Sequence, residues 1–307
     1  MDNHEYTSSY ATLTVYSRSL SVDELTQLIP LSPHYTWQKG TPRSKRNPSN
    51  VHPFSGLDFE SRLDRSAGPE AHLDDLINLL IPAWDALREF GQRARVEDPE
   101  TTPLWIRFIV ETTRHEIGFG FSSELTNAMA DLGVRFGVEL EIVDEARTDI
   151  SGETMDNQVD KESYASFVVY STSLSVEELG RLVPLTPDRT WQKGTPRVKR
   201  DPTNVHRLSG MSLESRLDRS EPPEAHLDGL LDRVNPVRDA LREYARRAPT
   251  EELYRPTRPG NTETSPLRIS FLVRSTRTEL GFDFSCEQLE AMAYIGSCFG
   301  MEIRDRR

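Results

Sequence analysis

The sequence contains little cysteine and no long apolar run. Its 307 residues include two cysteines, Cys286 and Cys298, which do not have the spacing of a metal site. No stretch approaches the ~20 apolar residues needed to cross a bilayer, and the first residues lack the cationic and apolar regions of a secretion signal. These absences predict a cytoplasmic protein that does not associate with membranes.

The sequence signatures of common enzyme classes are missing as well. No Gly-x-Gly-x-x-Gly motif follows a predicted strand, and no phosphate-binding Gly-Lys-Ser/Thr loop occurs. Neither a nucleophile elbow nor a His-Glu-x-x-His motif is present. The sequence therefore predicts no catalytic residues, no cofactor and no metal site, and an enzyme is not the default expectation.

Positive charge is in the minority. The chain has 37 lysines and arginines against 49 aspartates and glutamates, which gives a formal net charge of −12. A charge of this sign repels polyphosphate at long range and argues against a dedicated binder of duplex DNA. A short anionic ligand that meets a local cluster of cations remains open.

The chain is an internal duplication. Shifted by 154 positions against itself, it shows 51 identities over residues 10–90. The segment between the copies is polar, largely acidic and without apolar periodicity, which is typical of a linker. We predict a first repeat at 1–144, a polar linker at 145–163 and a second repeat at 164–307, each repeat with its own core.

Local patterns predict an α+β fold for each repeat, with a mainly antiparallel sheet covered by helices. The segment Tyr10 to Ser17 alternates as a strand does, and Ser21-Val22-Asp23-Glu24 is a capping box that begins a helix. A strand is expected at Leu57 to Arg65, and a helix from Pro69 that Pro82 kinks or splits. The order of elements is typical of a helix-covered antiparallel sheet.

The end of each repeat predicts a hairpin, a helix and a strand. Leu104, Ile106, Phe108 and Val110 alternate with other residues, and a short turn separates them from a second strand at Ile117 to Phe121. The second repeat keeps these four apolar positions and none of those between them. Core packing alone accounts for that pattern.

One polar loop is kept far more completely than its surroundings. Residues 37–52 match residues 191–206 at 13 of 16 positions and contain four cations and no acid in the first repeat. An anion-recognition loop would use the lysines and arginines for phosphate or carboxylate, the tryptophan for stacking, and the asparagine and histidine for directional hydrogen bonds. The candidate ligand-binding residues are Trp37, Lys39, Arg43, Lys45, Arg46, Asn50 and His52, with Trp191, Lys193, Arg197, Lys199, Arg200, Asn204 and His206.

A second interpretation of this loop stays open beside the first. The loop would be a rigid connector in which the tryptophan covers the core and the charges are solvated or paired. A recent duplication would then retain these identities without any selective reason.

Two further polar runs are repeated. Glu60 to Ser66 recurs as Glu214 to Ser220 and predicts a salt-bridged, solvated surface, with a ligand-facing role for its arginines as the alternative. Pro69 to Asp74 recurs as Pro223 to Asp228 and contains His72. On a helix, His72 points about 160° away from Glu70 and Asp74, so their spacing is wrong for a convergent acid/base or metal site.

Taken together, the opening strand, the Ser-Val-Asp/Glu-Glu-Leu helix, Trp37-Gln38-Lys39-Gly40 and the late Gly-Phe-x-Phe-Ser junction resemble a bacterial family catalogued as domain of unknown function 4279. The resemblance covers both repeats. It implies a compact α+β domain and supplies no catalytic residues. By analogy with related small bacterial domains, it implies an immunity or partner-binding role.

Two functional hypotheses follow. The first is a non-enzymatic tandem-repeat binding protein, of immunity or inhibitor type, that recognises a protein partner. The second is a binder or processor of a small phosphorylated or nucleotide-like ligand, which it would hold through the two Trp/Lys/Arg loops.

Overall fold

The computed structural model describes residues 8–97, 102–113, 116–142, 162–198, 200–248, 265–275 and 279–305. The first repeat forms β1 (Ser8–Ser17), α1 (Val22–Leu28), β2 (Tyr35–Trp37), β3 (Pro42–Ser44), β4 (Asn47–Val51), β5 (Ser55–Glu60), α2 (Pro69–Leu80), α3 (Trp84–Glu97), β6 (Leu104–Thr112), β7 (Glu116–Phe121), α4 (Ser123–Leu132) and β8 (Arg135–Ile142).

The second repeat follows the same order. It forms β9 (Glu162–Ser171), α5 (Val176–Leu182), β10 (Arg189–Trp191), β11 (Pro196–Val198), β12 (Asp201–Val205), β13 (Ser209–Glu214), α6 (Pro223–Val234), α7 (Arg238–Arg247), β14 (Leu267–Ser275), β15 (Glu279–Phe284), α8 (Cys286–Ile295) and β16 (Cys298–Asp305). The expected α+β class is confirmed. Within the described residues, no helix is long and apolar enough to span a membrane.

The local signals act as the sequence predicts. Ser21 accepts a hydrogen bond from the Glu24 backbone, and the Glu24 carboxylate accepts one from the Ser21 backbone, so the capping box is complete. Pro82 lies in a 3-10 turn, Ile81–Ala83, that separates α2 from α3. The strand at Leu57 extends less far than expected, because β5 ends at Glu60.

The described residues form two six-stranded sheets, and each sheet is mainly antiparallel. The two sheets have the strand orders β15-β8-β6-β1-β5-β2 and β10-β13-β9-β14-β16-β7, and the pairs β6–β8 and β14–β16 are parallel. The apolar positions of β6 are buried and the intervening ones are half-buried, as the alternation predicted. Helix α2 packs its buried Leu73, Leu76 and Leu80 toward the sheet.

Two expectations about these sheets are wrong. Strand β6 pairs with β1 and β8 and does not form a hairpin with β7. Strand β7 instead pairs with β16 of the second repeat, and β15 pairs with β8 of the first. The chain therefore forms two compact units that each include a strand from the other repeat, and neither repeat builds its core alone.

The wrong prediction of strand pairing has a physical reason. Alternation shows that a segment has one buried face, but it does not identify the edge with which the segment pairs. The predicted linker lies outside the described residues, apart from Glu162 and Ser163, which begin β9.

Candidate binding site: two cationic hairpins

The repeated loop folds as a small hairpin in each repeat. Strands β3 and β4 form a separate two-stranded sheet, the first hairpin, and β11 and β12 form the second hairpin. All residues of these four strands are exposed. Pro42 and Pro48, which have no backbone N–H, lie within the strands of the first hairpin and limit pairing with other edges.

The tryptophan at the base of each hairpin packs on a glycine. A Cβ added at Gly56 would overlap the indole ring of Trp37, and a Cβ at Gly210 would overlap that of Trp191. The Trp37 ring also lies 5.9 Å from the His52 ring, centroid to centroid. The absence of a side chain at Gly56 in strand β5 thus makes room for the Trp37 ring, and Trp37 is half-buried.

The next two residues tie the hairpin base to other elements. Gln38 accepts a hydrogen bond from the Val22 backbone at the start of α1, at 3.0 Å. Lys39 donates from Nζ to the carbonyl oxygen of Arg18, at 2.9 Å. In the second repeat, Gln192 and Lys193 make the same bonds to Val176 and Thr172.

A set of short hydrogen bonds closes the base. The Gly40 backbone donates to the His52 carbonyl at 2.9 Å, and the Thr41 hydroxyl donates to the Gln38 carbonyl at 2.6 Å. Gly40 has φ of 82°, which is in the left-handed region that glycine adopts without strain. The residues of the base therefore have structural roles, which matches the rigid-connector interpretation for this part of the loop.

The cations further along the hairpins differ from the residues of the base. Arg43, Lys45 and Arg46 are exposed, and no carboxylate of the described residues lies within 4.0 Å of their charged groups. Arg197 and Arg200 of the second hairpin are likewise exposed and without an acidic partner in the described part of the chain. Burial, followed by the positive charge of Arg197, lowers the pKa of His206.

The remaining candidates complete the two hairpins. Asn50 and Asn204 are exposed on β4 and β12, and His52 and His206 are half-buried beside the tryptophans. Lys199 lies outside the described residues. The structure thus groups the predicted residues into a fixed base, with Trp37, Lys39 and His52, and an exposed cationic part, with Arg43, Lys45, Arg46 and Asn50.

The second repeated run is a salt-bridged surface, as expected. Arg62 binds Asp75 at 2.9 Å, and Arg65 binds Glu60 at 3.2 Å. The guanidinium of Arg65 also lies over the ring of Tyr10, at 4.2 Å. The hydrogen bond from Arg62 lowers the pKa of Asp75.

In the second repeat the same arginine uses another acid. Arg216 binds Asp188 at 3.2 Å, and Arg233 also binds Asp188, at 2.6 Å. The hydrogen bond from Arg233 is the largest cause that lowers the pKa of Asp188 far below its usual range.

His72 belongs to a buried pair that the sequence did not predict. Its Nδ1 lies 2.7 Å from the Ser61 hydroxyl, and His226 lies 2.6 Å from Ser215. Both imidazoles are buried, and burial is the largest cause that lowers the pKa of each. The only signal in the sequence was that Ser61 and His72 both recur in the second repeat.

Burial decides what this pair does. Ser61 accepts a hydrogen bond from the Ala11 backbone, and Nε2 of His72 is buried with no hydrogen-bond partner among the described residues. Because both side chains are buried, the pair joins the end of β5 to α2 and is not placed to meet a substrate. Within the described residues, no three His, Cys, Asp or Glu side chains are grouped so as to hold a metal ion.

A cavity of about 280 Å³ lies between α5, α7 and the end of β9. Its apolar walls include Leu174 and Leu182. Three of its polar groups are already engaged, because Tyr244 donates to the Tyr170 carbonyl and Arg247 binds Glu243 at 2.5 Å. It offers few free groups to orient a ligand.

Comparison with known families agrees with the repeated architecture. The model of the family described as domain of unknown function (DUF4279) matches the chain twice, at residues 4–142 and 161–304. The chain belongs to this family and consists of two tandem copies of its domain. No curated protein shows significant similarity to the chain.

Proposed function

We propose that this tandem pair of DUF4279 domains is a non-enzymatic binding protein that presents two cationic hairpins to an acidic surface on a protein partner. The observation that carries the proposal is the division within each hairpin. The base is fixed by packing and hydrogen bonds, while the arginines beyond it have no acidic partner in the described part of the chain.

A fixed base favours binding. Because the hairpin is held before any partner arrives, less conformational entropy is lost on association. The planar guanidinium groups of Arg43 and Arg197 fit carboxylates through paired hydrogen bonds. The net charge of −12 weakens attraction at long range, so recognition depends on the short-range contacts of the hairpins.

The shape of each hairpin favours a protein over a small molecule. Small ligands are held in concave sites that enclose most of their surface. Both strands of each hairpin are exposed along their full length, and the Trp37 ring already contacts Gly56 and His52. An acidic protein surface provides the larger complementary area that such a projecting element needs.

The test is affinity purification from the native cell with two charge-matched variants. Arg43→Glu/Arg197→Glu changes the hairpins, and Arg93→Glu/Arg247→Glu changes equivalent exposed arginines of α3 and α7. Each pair changes the formal charge from −12 to −16, because every exchange removes one positive charge and adds one negative charge. We expect a stoichiometric partner with the wild type and the α3/α7 variant, and its loss with the hairpin variant.

Two results would oppose the proposal. Recovery of no stoichiometric protein by the wild type contradicts a protein partner, and equal recovery by both variants contradicts the role of the hairpins. A nucleotide panel tests the small-ligand hypothesis in parallel. A thermal shift that Arg43→Ala/Arg197→Ala abolishes would replace the protein partner with a small phosphorylated ligand.

A further inference from the structure

Each sheet contains one strand from the other repeat, and the two exchanges are reciprocal. Gly281 of β15 pairs with Glu139 of β8, and Gly118 of β7 pairs with Glu302 of β16. These two pairs are equivalent under the offset of 163 residues that relates the ends of the repeats. In each unit, a donor strand from one repeat (β15 or β7) therefore pairs with the equivalent acceptor strand of the other repeat (β8 or β16).

The donated strands carry core residues. Phe282 and Phe284 of β15 are buried, and the Phe284 ring stacks on Phe136 with a centroid distance of 6.4 Å. In the other unit, the Phe121 ring stacks on Phe299 at 5.6 Å. Removing the donor strand would expose these apolar faces, so each unit needs it to complete its core.

Ion pairs add to the pairing and differ between the units. Arg135, the first residue of β8, binds Asp283 of the donated β15 at 2.7 Å. The equivalent positions in the other unit are Cys298 and Gly120, which cannot form an ion pair of this kind. There, Arg304 of β16 binds Glu116 of the donated β7 at 3.5 Å. Both bridges join residues of different repeats.

The short connection before each donor strand favours exchange. Strand β6 ends at Thr112 and β7 begins at Glu116, so three residues connect them. To pair within its own repeat, β7 would have to pass β8 and take a position two strands away, about 10 Å to the side. A link of this length spans at most about 14 Å when fully extended, so closure on the same repeat would use most of its reach. Short hinge segments promote exchange between copies.

We propose that the outer edges of β8 and β16, on the side away from β6 and β14, are acceptor sites for a strand supplied in trans by a second DUF4279 repeat. The partner is recognised as an edge strand with the pattern Glu-Ile/Leu-Gly-Phe-x-Phe, which both β7 and β15 have. In this chain the partner is the other repeat, and the exchange is reciprocal. A family member with one repeat would use a second copy of itself. This inference is independent of the hairpins.

Cysteine pairs in the full chain separate the two possible pairings. Gly281→Cys/Glu139→Cys joins β15 to the exchanged acceptor β8, and Gly281→Cys/Glu302→Cys joins β15 to the equivalent site on its own β16. A side chain at Gly281 meets open space, and Glu139 is 48% exposed, so both positions accept cysteine. Directly paired residues of antiparallel strands lie at distances that a disulfide spans. Native Cys286 and Cys298 are replaced by alanine in all samples.

A protease site inserted within residues 145–161 gives the readout. After oxidation and cleavage, a disulfide between positions 139 and 281 would connect the two fragments covalently on a non-reducing denaturing gel. A disulfide between positions 281 and 302 would lie within the second fragment and leave the fragments separate. We expect efficient cross-linking of the first pair and little of the second, and the reverse result would overturn the inference.

Cleavage without any cross-link provides a second test. We expect the two fragments to elute together from a sizing column under native conditions and to separate in denaturant. Fragments that separate in native buffer while each stays folded would overturn the inference. Asp283→Ala should lower the urea concentration at which the cleaved fragments separate, and the same change in the uncleaved chain provides the control.

Discussion

The cationic hairpins and the salt-bridged run from Glu60 to Ser66 are both repeated, yet only the arginines of that run have acidic partners in the described part of the chain. Arg62 binds Asp75 in the first repeat, whereas the second repeat has Gly229 at the position of Asp75. There the equivalent Arg216 binds Asp188, at the position that His34 occupies in the first repeat. The arginine is retained and a different acid pairs with it.

Compensation of this kind is not found at the hairpins within the described residues. Their arginines recur, and the described part of the chain provides no acid for them in either repeat. A retained charge with an internal partner has its explanation in the fold. On the proposed function, a retained charge without one pairs with an acidic group of a partner outside the chain.

The largest effect on stability is expected at the base of the hairpins, where the residues have structural roles. Gly56→Ala places a methyl group in the space of the Trp37 ring and should lower the free energy of unfolding by about 3 kcal/mol. Gly180→Ala in α5 meets no atom within 4 Å and should raise it by up to about 1 kcal/mol. Urea unfolding of the two variants measures both values, and equal values would show that the ring does not need Gly56.

The next largest effect on stability is expected at Asp188, the acid that pairs with Arg216 in the second repeat. Asp188→Ala leaves Arg233 and Arg216 without their carboxylate and should cost about 2 kcal/mol of unfolding free energy. Asp75→Ala breaks one bridge, to an arginine whose side chain is 63% exposed, and should cost less than about 1 kcal/mol. Because the pKa of both acids is lowered in the fold, their contribution is present above their unfolded pKa and is lost as the pH falls through the folded one. If Asp188→Ala and Asp75→Ala had equal effects, the account of the second repeat would be wrong.

The buried histidines give a separate dependence at higher pH. Burial lowers the pKa of His72 and His226, so the folded state favours the neutral imidazole. The resulting stability is present above the unfolded pKa of about 6.5 and declines as the pH falls below it toward the folded pKa, by at most about 1.4 kcal/mol per pH unit for each histidine. Urea unfolding across this range should show the decline, and His72→Gln/His226→Gln should flatten it. An unchanged slope in that variant would assign the dependence to other groups.

The smallest effect on stability is expected at the hairpin arginines. Arg43→Ala/Arg197→Ala removes side chains with no acidic partner among the described residues and should change the unfolding free energy by less than about 0.5 kcal/mol. Thermal and urea unfolding provide the measurement. A large loss would show that these charges support the fold, which would remove the contrast with Arg62.

The sequence predicted those parts of the fold that depend on local signals. The alternation of β6, the capping box at Ser21 and the break at Pro82 each act within a few residues, and each is present. The sequence predicted a loop where the hairpins lie, and their strands gave no local signal because Pro42 and Pro48 are unusual within strands. The expected α+β class followed from the stronger elements around them.

Long-range features were beyond the sequence. The pairing of β7 with β16 depends on a choice between two equivalent edges, and the Ser61–His72 pair joins residues of two elements. For the candidate site, repetition identified the right loop but did not separate the fixed base from the exposed cations. That separation depends on contacts such as the bond from Lys39 to the Arg18 carbonyl.

We propose that the hairpin arginines bind an acidic partner, and the affinity of that purified partner provides the test. It is measured for the wild type, Arg43→Glu/Arg197→Glu and Arg93→Glu/Arg247→Glu as the salt concentration rises. We expect the hairpin variant to bind at least about tenfold more weakly than the wild type at low salt and to lose most of the salt dependence, while the α3/α7 variant stays close to the wild type. Equal affinities and equal salt dependence for the two variants would contradict the account.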